Sequence, residues 1–508
     1  MCNGTGSIIT RMSRYAPVCF FALLFCLVLL LTTPPYAHAK KYPLFGQDRI
    51  KGAGLLEDHS EALLRWARLG LKDAVLINID AHDDLRRIAP EKIKNLKRLV
   101  KKKDWKSIET ADSGGDTGLY HPGSFIYSAC RLGMIGRVYW IIPFSYFQGP
   151  DTAQALNTFL AAYGFDEQCI ETFRLRNGCY EGTYDGTALT VCGIEHLPQI
   201  DEPVILSIDA DFFPPFAHWY GRDVLSAMSG FFSAMALQGY HIQDAFVACS
   251  INGGFLSAAR RWIADHCLEI LEQPQLVEGP YPEAWLVHNL ADTYYMGCKA
   301  EALLDLTRRY QNRDPQDRCL LAYQAFALQA TGDREDAFEL ANELARYDSR
   351  FAFVLADLGQ CLIDQEKLEA ALPYFQAAYQ VNPHMNFRQK NLGDALMAEG
   401  RYKQALPYYE TYCRQNGSFP VAFVMGDAAL KLGDNSRAHT LFAQGISGLK
   451  EVRYISDLSG IDVAAIRHAA SFFRQRNQHD IVRIITSHPC LKHLFDANGM
   501  KKQDKMHK

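Results

Sequence analysis

Two acidic segments, each at the end of an apolar run, constrain this chain more than any other feature. Ala74-Val75-Leu76-Ile77-Asn78-Ile79 leads into Asp80-Ala81-His82-Asp83-Asp84, and Pro203-Val204-Ile205-Leu206-Ser207-Ile208 leads into Asp209-Ala210-Asp211. Runs this rich in aliphatic and β-branched residues read as parallel strands buried on both faces. In an open α/β sheet, ligands bind beyond the carboxyl ends of such strands, which is where both sets of acids fall. Side chains alternate along an extended backbone. Asp80, His82 and Asp84 are therefore expected to face one way and Ala81 and Asp83 the other, with Asp209 and Asp211 paired in the same manner. Four carboxylates in one cleft repel each other by on the order of several kcal/mol per close pair. Two divalent ions would cancel their charge. Oxygen and imidazole donors suit Mn2+, with Zn, Fe or Co as alternatives.

At 508 residues and 48% hydrophobic content, the chain is long enough for two or three packed cores. Its net charge of −4 shows no basic excess, and the Lys-rich stretch 92–103 reads as a solvated helix face. Nucleic acid is accordingly not an expected partner. Arg11 and Arg14 precede an apolar run of about 14 residues, Val18 to Leu31, which is followed by the small-residue site Ala37-His38-Ala39. That order predicts a signal peptide over 1–39, cleaved near Ala39, and export to a periplasmic or extracellular space. The run is shorter than the roughly 20 residues of a membrane span, so a membrane contact is expected only if this segment is retained. Of the 14 cysteines, three lie within 1–39, and none forms a CxxC pair. Cys169, Cys179 and Cys192 fall in a loop-rich stretch that can supply one disulfide, with the pairing open.

Strand and helix signals alternate over 43–271, which predicts an α/β domain with a mainly parallel sheet. A Pro/Gly-rich linker is expected at 272–282, and helical signals alone follow it. Over 283–450 a period of about 34 residues emerges. Leu358-Gly359 returns as Leu392-Gly393 and Met425-Gly426, Ala371 as Ala405 and Ala438, and Phe375 as Tyr409 and Phe442. Small residues at this spacing suit closely crossing helices, and the aromatics fill the space beside them. The pattern resembles the tetratricopeptide repeat (TPR), with about five units, a solenoid whose family role implies a protein or peptide partner. Residues 451–500 are expected to form a helical cap.

A histidine ahead of the first acidic strand, in Glu57-Asp58-His59-Ser60, completes a longer pattern. His59 before a helix, Asp80, His82 and Asp84 at one strand end, and Ser207-Ile208-Asp209-Ala210-Asp211 at another occur in the order of the arginase/agmatinase (ureohydrolase) superfamily. Residues 43–270 resemble that superfamily. Within it they are similar to an uncharacterised arginase-like protein family that shares the Glu-Asp-His, Asp-x-His and Val138-Tyr139-Trp140-Ile141-Ile142-Pro143 type segments. The resemblance implies a three-layer arginase-like α/β fold and two divalent ions. One ion would be held by His59, Asp80, Asp84 and Asp209, the other by His82, Asp80, Asp209 and Asp211. It further implies hydrolysis of a linear C–N bond in a small-molecule or amide-type substrate. Ureohydrolases open with Gly-Gly-Asp-His and place an acid after a late strand. Here those stretches read Leu56-Glu57-Asp58-His59 and Ser250-Ile251-Asn252-Gly253-Gly254, so guanidinium selectivity is not implied.

Alternatives stand beside several of these residues. His121, in Tyr120-His121-Pro122-Gly123-Ser124, is a candidate proton shuttle or else a surface-loop histidine. His59 is a ligand or part of a helix cap made by Asp58 or Ser60. For the whole chain, the leading expectation is an exported metal-dependent C–N hydrolase with an interaction domain. A non-catalytic metal- or ligand-binding scaffold is the alternative, and a single-zinc deacetylase-like enzyme using Asp80, His82 and Asp209 is a third.

Overall fold

The computed structural model describes residue 50 and residues 52–495, apart from 113–117, 145–151, 253, 366, 384–387, 417–418, 450–457, 489–490 and 492–493. The expected signal segment and the end of the expected cap lie outside the described residues. Among the described residues, no helix is long and apolar enough to cross a membrane.

The first half alternates β1 (Gly54–Leu56), α1 (Glu61–Leu69), β2 (Ala74–Ile79), α2 (Pro90–Lys102), α3 (Trp105–Thr110), α4 (Phe125–Arg131), β3 (Ile135–Ile141), α5 (Thr152–Ala162) and α6 (Glu167–Ile170). It continues with β4 (Arg174–Arg176), β5 (Cys179–Tyr184), β6 (Thr187–Cys192), β7 (Val204–Asp209), α7 (Phe213–Trp219), α8 (Val224–Gln238), β8 (Ile242–Ala248) and α9 (Trp262–Glu272). The strands form one mixed sheet in the order β1-β8-β7-β2-β3-β6-β5-β4. Strands β1 to β3 and β6 to β8 pair in parallel, while β5 runs antiparallel to both β6 and β4. A Cys179–Cys192 disulfide ties β5 to β6. Cys169 stays a thiol and donates to the Thr183 carbonyl at 3.2 Å.

Alternation along the strands divides the interior in two. Val75, Ile77 and Ile79 of β2 join Leu206 and Ile208 in a core covered by α7, α8 and α9. Leu76 joins Val138, Trp140 and Ile205 in a second core under α1 and α4, where Trp66 and Phe125 are fully enclosed. Helices thus cover both faces of the sheet. This burial makes the runs legible as strands, because neither face has to accommodate water.

From Glu283 the described chain is helical. Five hairpins follow: α10 (Glu283–Met296) with α11 (Ala300–Gln311), α12 (Arg318–Thr331) with α13 (Arg334–Tyr347), α14 (Ala352–Asp364) with α15 (Leu368–Val381), α16 (Arg388–Ala398) with α17 (Tyr402–Asn416), and α18 (Val421–Lys431) with α19 (Asn435–Leu449). Helices α20 (Gly460–Arg474) and α21 (His479–Ser487) come after them. The periodic residues meet inside each hairpin. A Cβ added at Gly393 would lie 2.6 Å from the Tyr409 ring, and one added at Gly426 would lie 2.4 Å from Phe442.

The 272–282 junction is packed rather than extended. It forms a 3-10 turn over Pro274–Glu278 that buries Pro274 and Val277. Trp262 of α9 donates to the Tyr323 hydroxyl at 3.2 Å, and Arg260 pairs with Asp292 of α10 at 2.7 Å. The core beneath α7 to α9 continues without a break into the helical hairpins, so the described residues form one compact unit.

Candidate metal centre

Register decides which acids become neighbours. β2 lies between β7 and β3, with Asn78 opposite Ser207 and Ile79 opposite Ile208. Asp80 and Asp209 therefore emerge side by side. Strand β8 pairs Ala248 with Asp209 and, on its other side, with Leu56 of β1. The segments Glu57-Asp58-His59 and Cys249-Ser250 consequently leave the same edge of the sheet.

The six expected ligand residues gather there, although not through the alternation of an extended strand. Strand β2 ends at Ile79 and the chain bends through Ala81 and His82. Asp84 then adopts a left-handed backbone with φ of 50°, a conformation that Asp tolerates better than most residues. Asp209 is the last residue of β7, and its Oδ1 accepts the Asp211 N–H at 3.0 Å, starting a 3-10 turn over Ala210–Phe212. The loops win over the strand pattern because these carboxylates also cap the backbone that follows them. Asp83, expected on the opposite face, is buried as well, and its burial raises it to about 6.

His59 Nδ1 lies 3.1 Å from Asp80 Oδ2, 3.2 Å from Asp84 Oδ2 and 3.2 Å from Asp209 Oδ2. None of the three oxygens is aligned to hydrogen-bond that nitrogen. His82 Nδ1 lies 3.0 Å from Asp211 Oδ2 and 3.6 Å from Asp80 Oδ1. Both Asp211 oxygens are buried without a hydrogen-bond partner. Asp80 belongs to both groups, turning one oxygen toward each histidine. Ligand atoms bound about 2.0–2.2 Å from an ion stand about 3 Å apart along an octahedral edge, which is the spacing around His59. These donors therefore fit divalent metal ions, as one group from His59, Asp80 and Asp84 and a second from Asp80, His82 and Asp211.

Electrostatics points the same way. Burial raises Asp84 well above the usual carboxylate range, reinforced by the Asp80 charge. Burial also raises Asp211 to about 7, with Asp209 and Asp80 adding to it. Burial opposes charge on both imidazoles. Even so, Asp211 and Asp80 raise His82 to about 12, and Asp209, Asp80 and Asp84 hold His59 well above its ordinary value. Burial works against the Asp80 carboxylate too, but His59 and His82 keep it below the usual range. Without a cation, such a cluster balances its charge by holding protons, and a divalent ion would displace them.

A second ring of residues orients this one, and it was not anticipated. Ser207 Oγ is 2.6 Å from His59 Nε2, which leaves Nδ1 to face the acids. Ser250, itself left-handed at φ of 51°, donates to Asp209 Oδ2 at 2.5 Å. Asn78 Nδ2 donates to Asp80 Oδ2 at 3.3 Å, and Trp140 Nε1 to the Asp80 carbonyl at 3.0 Å. Ser207 stands inside the acidic motif and was open to recognition. Ser250 follows a strand with no charge to mark it. Phe255 packs against His82 with ring centroids 4.6 Å apart and tilted by 55°, and it is 49% exposed, marking the open side of the cluster. Ser60, at the N-cap of α1, makes no side-chain cap hydrogen bond, while Glu61 Oε1 accepts the Asp58 N–H at 2.9 Å.

His121 stands at the entry to a 3-10 turn, Pro122–Ser124. Among the described contacts, no hydrogen bond or ion pair joins it to the six candidate ligand residues. Burial lowers it to about 4, helped by the Arg86 and Lys92 charges, so its imidazole is neutral near pH 7.

Comparison with known proteins matches one hairpin of the helical half. The sequence model for the tetratricopeptide repeat matches residues 354–385, the hairpin of α14 and α15. No curated protein matches the chain. Among solved structures, MamA protein is 18% identical with a TM-score of 0.28, covering 34% of this chain and 96% of its own. PilF of Pseudomonas aeruginosa is 21% identical with a TM-score of 0.30, covering 43% and 95%. YrrB, described as a TPR protein with an unusual peptide-binding site, is 18% identical with a TM-score of 0.25, covering 31% and 82%. The chain carries a tetratricopeptide repeat in a largely helical region, and such repeats imply a protein-interaction domain.

Proposed function

We propose that this protein is an exported, arginase-like, metal-dependent hydrolase of a linear C–N bond whose TPR hairpins engage a protein or peptide partner. The observation that carries the reading is Asp80, whose two carboxylate oxygens face His59 and His82 on opposite sides. That arrangement suits a carboxylate shared by two ions, with oxygen and imidazole donors that favour Mn2+, and leaves a single-zinc site with an unused second ligand group. His59, Asp80, Asp84 and Asp209 would hold one ion, and His82, Asp80, Asp209 and Asp211 the other. When bound, such a pair supplies Lewis acidity and acidifies water near neutral pH.

The chain's own residues account for the rest. Ser207 and Ser250 hold the ring of His59 and the carboxylate of Asp209 in place, which limits reorganisation. Phe255 gives the open side an apolar wall beside His82. Burial of the carboxylates strengthens every charge interaction at the site. The neutral His121 imidazole remains the candidate proton carrier, provided that substrate or water bridges it to the cluster.

Metal analysis of the purified chain tests this reading directly. We expect about two divalent ions per chain in the wild type and their loss in the Asp80→Ala, Asp209→Ala double variant. A metal-free wild type, or a variant that keeps its metal, refutes the site. Metal-loaded protein that turns over no amide or guanidine substrate, with the metal still bound, favours the scaffold alternative.

A further inference from the structure

Helices α11, α12 and α13 line an open, shallow groove of about 270 Å³. One wall carries Asp336, Glu339 and Glu343 of α13, at three- and four-residue spacing and hence on one helical face. All three are exposed, and none is ion-paired among the described residues. Arg308 of α11 is the one cation in the lining, which leaves an excess of negative charge. Leu328 of α12 and Leu340 of α13 make the groove partly apolar. Gln324 of α12 also lines it; it is only 9% exposed, and its Oε1 has no hydrogen-bond donor. A buried carbonyl without a donor is unfavourable, and a ligand bearing N–H groups would relieve it.

We propose that this groove docks basic side chains, lysine or arginine, from a protein partner. The aliphatic stem lies on Leu328 and Leu340, as such stems commonly cover apolar surface. The cationic head sits among Asp336, Glu339 and Glu343 and donates to Gln324 Oε1. Arg308 repels positive charge from its own end and so fixes the direction of entry. A bare metal ion would leave the leucines unused. The inference rests on the reading of the hairpins as an interaction domain and is independent of the metal centre.

The test is a fluorescence-anisotropy titration of the purified full chain with a labelled peptide of alternating lysine and alanine, alongside a control with glutamine in place of lysine. Saturable binding of the lysine peptide alone is expected. It should weaken at least tenfold in the Glu339→Gln, Glu343→Gln double variant and also weaken in Gln324→Leu, while melting of the double variant is unchanged because its substitutions are exposed. No saturable binding to the wild type overturns the proposal, as does equal binding by the wild type and the double variant. If both peptides bind alike and tolerate the double substitution, the hairpins interact through another face; the proposal then falls while the interaction reading stands. Metal content, measured on the same samples, reports separately on the hydrolase reading.

Discussion

Asp80 concentrates the demands of the candidate site in one side chain. Its Oδ1 accepts the His82 backbone N–H at 2.7 Å, while Oδ2 faces His59. The supporting hydroxyls offer a gentler probe than removing a ligand. Ser207→Ala deletes the partner of His59 Nε2 and leaves every candidate ligand in place. Loss of such an orienting group typically costs 10–100-fold in metal affinity, and a decrease of roughly that size is expected in chelator competition. An unchanged affinity would show that His59 is not a ligand. The candidate ligands themselves were legible in the sequence because acids and imidazoles seldom follow buried strands without reason. Their means of convergence was not. The left-handed turn at Asp84 and the cap made by Asp209 depend on loop geometry, which residue alternation does not encode. Ser250 and Phe255 come from a loop without charge or periodicity; the family pattern marks the Ser250 stretch only by the acid it lacks, not by a bond to Asp209.

At the scale of elements, the hairpins were readable because their packing repeats. Gly359, Gly393 and Gly426 each face the aromatic residue of the next helix, and the room beside them shrinks along the series. An added Cβ would approach Phe375 to 3.2 Å, Tyr409 to 2.6 Å and Phe442 to 2.4 Å. Tyr409 and Phe442 are fully buried and have little freedom to retreat. Overpacking of this kind costs about 1–3 kcal/mol. Destabilisation in urea is expected to rise from Gly359→Ala through Gly393→Ala to Gly426→Ala, and a flat series would contradict the packing. Between α9 and α10 the sequence was silent, because a buried histidine pair carries no periodic signal. His266 of α9 lies 3.2 Å from His288, whose other nitrogen is 2.7 Å from Asp317. Burial lowers His266 to about 4 from an ordinary 6.5. Between these values the unfolded chain binds more protons than the folded one, so stability is full above about pH 6.5 and falls as pH drops toward 4. The loss expected between pH 7 and pH 5 is about 2 kcal/mol from this group. His266→Gln should flatten the dependence by that amount in urea titrations at the two pH values, and an identical slope would assign the effect elsewhere.

The described residues behave as one body because the helical half completes the core of the α/β half. Trp262 and Trp285 are buried at their junction, and the latter stacks on His266 with ring centroids 4.3 Å apart. Polar contacts run the same way. Arg350, in the turn between α13 and α14, reaches Glu57 at 3.1 Å, and Arg261 of the α/β half holds both Glu57 oxygens at 2.8 Å. Glu57 stands two residues before His59, so a side chain of the repeat region braces the segment that carries a candidate ligand. The sequence placed a linker at 272–282 because proline and glycine mark breaks between periodic elements. Composition does not reveal that the two sides share a core, and nothing near Arg350 marks its distant partner. A shared core makes unfolding cooperative. Far-UV circular dichroism, dominated by the helices, and tryptophan fluorescence, which includes buried Trp66 and Trp140 of the α/β half, are therefore expected to trace one coincident denaturant transition. Arg350→Ala should move that single transition to lower denaturant without dividing it, since the apolar junction remains. Two resolved transitions in the intact chain would mean that the halves fold independently and that the brace on Glu57 is incidental to the region around His59.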